Sequence, residues 1–439
     1  MPDNKKTCLY DKHVALGAQM SPFGGFEMPI QYRGIVEEHE AVRNACGVFD
    51  VSHMGEVTIE GPAAEAYVNY VFSNDVTDAS VGKCFYGMML NPSGGVVDDL
   101  LVYKRAADKF FFVINASNID KDVEWIKSNA SGFDVTVENV SENLGELAVQ
   151  GPAAERIMNE VLGIDCSQLT FYTFFEPMID GQPSIVSRTG YTGEDGFEIY
   201  ASHQVIIDLW ERLIASGQVE PCGLGCRDTL RFEVGLPLYG NELADDISPL
   251  EAGLSMFVRM EKPDFIGRDA TVALKAKGVD RKLVGLELAD KAIPRHGYEV
   301  LNDADEVVGH VIARLHLGHG NHQFTVAQLH ATEHSAIHSL GKEIIDIKVG
   351  GQYKLVQERI LRIFQLDFTS LHKLIGKLMR SGTAYLIDLI KSRRAHQRHV
   401  HRYIERHQAL IGTDVTCSLI SAYMLFTCLG HESLIYIVP

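Results

Sequence analysis

A strand that ends in glycine and runs directly into Pro-Ala-Ala-Glu occurs twice in this chain, as IEGPAAE at 59–65 and VQGPAAE at 149–155. Proline gives up nothing at the first turn of a helix, where its missing N–H would be unpaired anyway, so each copy predicts a strand feeding straight into a helix. The pair is read either as a common turn used twice or as a duplicated half-domain. Around the two copies, apolar residues recur at helical spacing over 36–45, 63–72, 119–129, 154–162 and 204–216. Alternating or β-rich runs occupy 55–59, 96–103, 110–115, 134–138, 145–150, 183–187 and 196–200. Helices and strands mix without strict βαβ spacing, which points to an α+β fold with largely antiparallel sheets. A helix over 265–277 and strands over 282–287, 297–302 and 307–313 open a small β domain. After about residue 313 the strand pattern stops. A His-rich polar segment follows, and then helical spacing over 356–411.

Charge breaks at the same place. Lys and Arg number 40 against 58 Asp and Glu, a net −18, yet residues 311–439 hold 15 basic against 9 acidic side chains. That segment is therefore +6 and the first 310 residues are −24, with 13 of the 18 His at or beyond His310. Such an acidic core repels phosphate backbones and anionic bilayers, which argues against nucleic acid or a membrane surface as the main partner. The eight Cys are dispersed and read as reduced thiols. The start, MPDNKKTCLYDKH, carries neither a secretory nor a mitochondrial leader pattern, and the expected location is a bacterial cytoplasm. The most apolar window, 415–429, is shorter than the roughly 20 residues a spanning helix needs.

Three segments carry chemistry. NPSGGVVDDLLVY, 91–103, turns on two glycines into a strand opened by adjacent carboxylates. Asp98 and Asp99 must point to opposite faces of that strand, so one can face a cavity while the other faces water or caps the turn. SRTGYTGEDGFEIY, 187–200, is a glycine-rich turn entering an alternating strand, with Glu198 on the face opposite Phe197 and Ile199; a lone acid there is usually exposed. It has no Gly-Lys-Ser/Thr and is no phosphate loop. CGLGCRDTLRFEVGLPLYGNEL, 222–243, predicts a helix with Arg227 and Arg231 one turn apart, suited to carboxylate capture or to an ion-pair network. Cys222 and Cys226 lack a second ligand pair nearby, and the His run 396–407 reads as a solvated basic helix, so no metal site is expected.

Taken together these segments resemble the aminomethyltransferase (T-protein) family of the glycine cleavage system. The matching pieces, in order, are SPFGGFEMPIQY at 21–32, GVFDVSHMGEV at 47–57, GGVVDDLLVY at 94–103, VINASN at 113–118, VQGPAAE at 149–155 and RTGYTGEDGFEIY at 188–200. CRDTLRFEVGLPLYGNEL at 226–243, SPLEAGLSMFV at 248–258 and FIGRDA at 265–270 complete the series. The resemblance implies an α+β cloverleaf: two mixed antiparallel-sheet and helix domains, a small C-terminal β-barrel, here incomplete, and an atypical tail. On that reading residues 1–150 and 151–280 are the two halves of a folate-binding core, 281–350 a degenerate barrel and 351–439 a basic helical tail.

The activity so implied takes an aminomethyl group held on the lipoyl arm of the H-protein and passes its carbon to tetrahydrofolate. The products are 5,10-methylenetetrahydrofolate, ammonia and dihydrolipoyl H-protein. Carried across by motif, the catalytic carboxylate is Asp99, with Asp98 as the neighbouring alternative. Glu198 resembles the acid that pairs with the pterin, and Arg227 the guanidinium that fixes the glutamate tail or the second rim. Tyr86, Met54, Asn115, Tyr191 and Tyr239 resemble further pocket lining. Alternatives are another folate-dependent demethylating enzyme of the superfamily, or a non-catalytic or inactivated folate-binding relative. The chain shows no flavin-binding GxGxxG after a first strand, and it lacks the Lys-Gly-Cys motif of the non-catalytic branch.

Overall fold

The computed structural model describes residues 4–287, 296–301, 307–315, 324–330, 347–349 and 354–355. Two sheets dominate. The first is five-stranded and antiparallel, in the order Lys83–Leu90, Val96–Ala106, Lys109–Ile114, Gly55–Glu60, Thr136–Asn139. The second is six-stranded, in the order Phe174–Phe175, Ile185–Ser187, Gly196–Ser202, Leu144–Gln150, Gly47–Asp50, Glu220–Pro221, with only the last pair parallel.

The repeated Gly-Pro-Ala-Ala-Glu is a duplication at the level of topology. In both sheets the strand that ends in this motif lies fourth, and the third strand pairs antiparallel with it and leads toward a helix, Ile119–Ser128 or His203–Ala215. The turns match bond for bond. Gly61 and Gly151 take φ of +140° and +132°, the left-handed side that a side chain resists. The N–H groups of Ala64 and Ala154 donate to the Gly61 and Gly151 carbonyls at 3.0 and 2.9 Å. Ala63 N–H reaches Asp134 O and Ala153 N–H reaches Ala45 O, in each copy a carbonyl just ahead of the fifth strand. A common turn alone would not reproduce the neighbouring strand order. The second sheet takes Gly47–Asp50 from ahead of the first sheet, so its strands come from both sides of position 150.

Each sheet has a helix layer on its outer face. Val57, Ile59, Val102 and Phe112 pack with Tyr67, Val68 and Val71 of helix Ala64–Val71. Leu147, Val149, Phe197 and Ile199 pack with Ile157, Leu209 and Trp210 of the helices Ala154–Glu160 and His203–Ala215. Each of these large side chains contributes about 1.5–3 kcal/mol by leaving water. The inner faces pack on one another: Tyr103, Phe111 and Val113 meet Phe174, Ile185 and Tyr200, with the Tyr103 and Tyr200 rings 5.7 Å apart and edge-on. The candidate site lies at this seam.

The third sheet corrects an expectation. Strands do not stop at about 313: Phe324–His330 pairs antiparallel with both Arg281–Glu287 and Val307–Leu315, and Glu299–Leu301, Ile347–Val349 and Lys354–Leu355 extend the sheet to six strands. FTVAQLH, 324–330, shows weak alternation because an inner strand is fixed by pairing on both edges as much as by a one-sided pattern. Apart from Lys354–Leu355, the tail expected over 351–439, with its His run, lies outside the described residues. Among the described residues no helix is long and apolar enough to cross a membrane.

Candidate active site

The turn at Asn91–Gly95 presents the paired carboxylates. Asn91 N–H donates to Gly95 O at 2.9 Å, and a Cβ on Gly95 would lie 1.8 Å from the Asp245 carbonyl, so only glycine lets the loop beyond Glu242 pack here. In the strand that follows, Asp98 and Asp99 face opposite ways. Asp98 is fully buried toward the helix layer and accepts the Asn115 N–H at 3.0 Å, Asn115 Nδ2 at 2.9 Å and Asn118 Nδ2 at 2.7 Å. Beside it, burial, followed by the hydrogen bond and charge of Asp98, pushes the Asp122 carboxyl up to about 10, so Asp122 keeps its proton at neutral pH. Asp99 looks into the seam, where Tyr86 donates its hydroxyl at 2.9 Å and Asn115 Nδ2 donates at 3.0 Å. Burial, and then the charge of Asp98, raises Asp99 to about 7.

Glu198 is buried rather than exposed, with 4 % of its surface accessible. Ala148 stands opposite it across the ladder, and its carboxylate accepts the Thr189 hydroxyl at 2.5 Å, with the Tyr200 oxygen 3.4 Å away. Burial raises its pKa, while the Thr189 hydrogen bond and the Arg227 charge pull it down.

Arg227, in the first turn of helix Leu224–Glu233, lies 4.8 Å from the Tyr191 ring centroid, and its buried Nη1 has no hydrogen-bond partner among the described residues. A free, buried donor of this kind suits an anionic or carbonyl-bearing ligand. Tyr191 donates its hydroxyl to Pro237 O. Burial raises that phenol, Arg231 lowers it, Asp99 raises it and Arg227 lowers it, which places the two ends of the site within electrostatic reach. Tyr239 carries Lys121 Nζ 4.7 Å above its ring, and Met54 packs against both the seam cluster of Tyr103 and Tyr200 and the neighbouring cluster of Phe49, Val51 and Leu230. Arg231 leaves the site: it pairs with Glu242 at 3.0 Å and Asp228 at 2.8 Å, so the two arginines of one helix have different work.

Some groups at the seam were not singled out by sequence. Glu56 and Glu146 are buried and both are raised well above the usual carboxylate range, chiefly by burial. His53 is buried, and burial holds its imidazole down at about 4. None has a distinctive local pattern, because acids on facing strands meet only after the sheets pack. Cys222 and Cys226 come within 4.8 Å of Glu38, whose two carboxylate oxygens are taken up by the N–H groups of Tyr32, Arg33, Gly34 and Gly223.

The sequence profile of the GCVT N-terminal domain family matches residues 9–262. The chain belongs to this family. All nine candidate residues, from Met54 to Tyr239, fall inside the GCVT match. Similar proteins called aminomethyltransferase are found in Desulfitobacterium hafniense, 49 % identical over 310 residues, and in Moorella thermoacetica, 51 % identical over 310 residues. Each match covers 70 % of this chain and 85 % of the relative. The crystal structure of glycine cleavage system aminomethyltransferase T from Bartonella henselae superposes with a TM-score of 0.74 at 30 % identity, over 81 % of this chain and 97 % of that one. The GCVT assignment thus rests on sequence and fold together.

Proposed function

We propose that the seam between the two sheets is where this chain, an aminomethyltransferase of the glycine cleavage system, passes the aminomethyl carbon from the lipoyl arm of the H-protein to tetrahydrofolate. The observation that carries the reading is the convergence of Asp99, Tyr191, Arg227 and the buried Glu198 at the seam, with Arg227 4.8 Å from the Tyr191 ring centroid and its Nη1 without a partner among the described residues.

Glu198 would accept the adjacent amino and ring N–H donors of the pterin, a bidentate geometry that a carboxylate matches. Tyr191 and Tyr239 would rim the slot for the flat ring, and Arg227 would hold the glutamate tail or the second rim. Asp99 would accept a hydrogen bond from the attacking folate nitrogen. Its charge would face the positive centre that develops as ammonia leaves. Tyr86 and Asn115 fix both oxygens of that carboxylate, and Asp98 fixes Asn115 from below. Asp98 is thus a support for the turn rather than the reacting acid.

The test is a coupled assay with lipoylated H-protein, glycine decarboxylase, glycine and tetrahydrofolate, following methylenetetrahydrofolate. Formation that depends on this chain is the expected result, and none above the background without it would refute the reading. Within the same framework, Glu198→Gln replaces a charge-assisted pair of hydrogen bonds by a mismatched amide. It should weaken tetrahydrofolate binding by about 1–3 kcal/mol. Calorimetric titration reads this directly, and an unchanged Kd would remove Glu198 from the pocket.

A further inference from the structure

Glu198 is held by a run of hydroxyls that begins on the other sheet. Thr189 Oγ1, its donor, lies 2.6 Å from Ser187 Oγ, which lies 3.1 Å from Tyr103 Oη. Tyr103 Oη lies 3.0 Å from Tyr200 Oη, and Tyr200 reaches back to Glu198. All five side chains are buried, none more than 4 % exposed. Tyr103 belongs to strand Val96–Ala106, four residues along from Asp99, whereas Ser187, Thr189, Glu198 and Tyr200 belong to the second sheet and its turn.

The direction of these bonds follows from charge. An ionised carboxylate only accepts, so Thr189 must give its proton to Glu198. The Thr189 oxygen then accepts from Ser187, the Ser187 oxygen from Tyr103, and the Tyr103 oxygen from Tyr200, whose one proton goes to this nearer partner rather than to Glu198 at 3.4 Å. A protonated Glu198 would remove that constraint, because its own O–H could donate to Thr189. With Glu198 ionised, the series of donors that starts at the tyrosines ends on its charge, and each bond polarises the next.

We propose that Tyr103, acting through Ser187 and Thr189, is a positioning residue that keeps Glu198 ionised and aimed at the pterin. This deepens the folate reading above and rests on it. The other groups facing Glu198 are few. Arg227 on helix Leu224–Glu233 favours its charge, and Glu146 on Leu144–Gln150, itself near Glu56 of the first sheet, opposes it. The phenols of Tyr103 and Tyr200 and the Cys84 thiol on Lys83–Leu90 are held neutral, chiefly by burial.

Tyr103→Phe removes one oxygen and keeps the ring that packs edge-on against Phe111, Phe174 and Tyr200. Calorimetry of the full chain with tetrahydrofolate should show Kd raised about 3- to 10-fold, the loss of roughly one hydrogen bond. The acid side of the binding profile should move to higher pH, and kcat at saturating folate should stay within about twofold. Ser187→Ala should behave alike. In a Glu198→Gln background, Tyr103→Phe should have no further effect on Kd, since the residue it acts through is gone. An equal loss in both backgrounds, or a lowered Tm with Kd unchanged in both variants, would overturn the inference. Absence of folate binding by the unmodified chain would overturn the folate reading and this inference with it. Binding that neither variant weakens overturns the inference alone.

Discussion

Asp99→Asn is expected to lower kcat by about a thousand-fold while leaving tetrahydrofolate affinity within a few-fold of the unmodified chain. The amide keeps the shape and the contact with Tyr86, but it presents no charge to the cation that forms as ammonia leaves, and a single positioned charge or base is worth about 10²–10⁴ in rate. Asp98→Asn should cost far less, because Asp98 points to the helix layer, where it meets the turn at 115–118 and the Asp122 carboxyl. A loss at Asp98 equal to that at Asp99 would place the chemistry on the wrong face of the strand. The pH dependence has a definite sign. With its pKa raised to about 7, Asp99 gains a proton as pH falls, so kcat/KM should decline on the acid side with a midpoint near 7. Tyr86→Phe removes a hydrogen bond that favours the carboxylate and should push that midpoint upward. A midpoint that stays still, or moves down, would separate Asp99 from the profile.

The parts of this site that could be read from sequence are those set by local geometry. Period two along a strand separates Asp98 from Asp99 and places Glu198 opposite Phe197 and Ile199, and Pro-Ala-Ala-Glu after glycine predicts its helix wherever it occurs. What sequence hides is pairing at a distance. Glu198 sits at a position where a lone acid is usually exposed, and it is buried only because the second sheet lays that face against the first. Tyr103 and Ser187 have ordinary places in β-rich runs, yet their hydroxyls meet across the seam at 3.1 Å. Arg43, in a plain amphipathic helix, bonds the Thr192 and Leu230 carbonyls and Glu233, tying the turn that carries Tyr191 to the helix that carries Arg227. The insertion of the first sheet between Gly47–Asp50 and Leu144–Gln150 is equally silent, because a strand does not announce its neighbour.

Arg231→Met should lower stability by about 3–5 kcal/mol without touching a reacting group. Arg231 is 2 % exposed and bonds both oxygens of Glu242 at 3.0 Å, Asp228 at 2.8 Å and the Leu236 carbonyl at 3.1 Å. Glu242 is buried too, and it also accepts the Leu238 N–H at 2.9 Å. Removing the guanidinium strands a carboxylate away from water, and breaking one side of such a pair costs about 3–5 kcal/mol even where the intact pair contributes little net. Removing both charges avoids the stranded group, so Arg231→Met with Glu242→Met should recover much of the loss. The same segment supplies the Pro237 carbonyl that holds Tyr191 and carries Tyr239, so folate KM should rise with the single substitution. Denaturant unfolding followed alongside folate titration measures both. A single variant that loses under about 1 kcal/mol, or a double variant no more stable than the single, would show that Glu242 finds another partner and that the pair does not hold this rim in place.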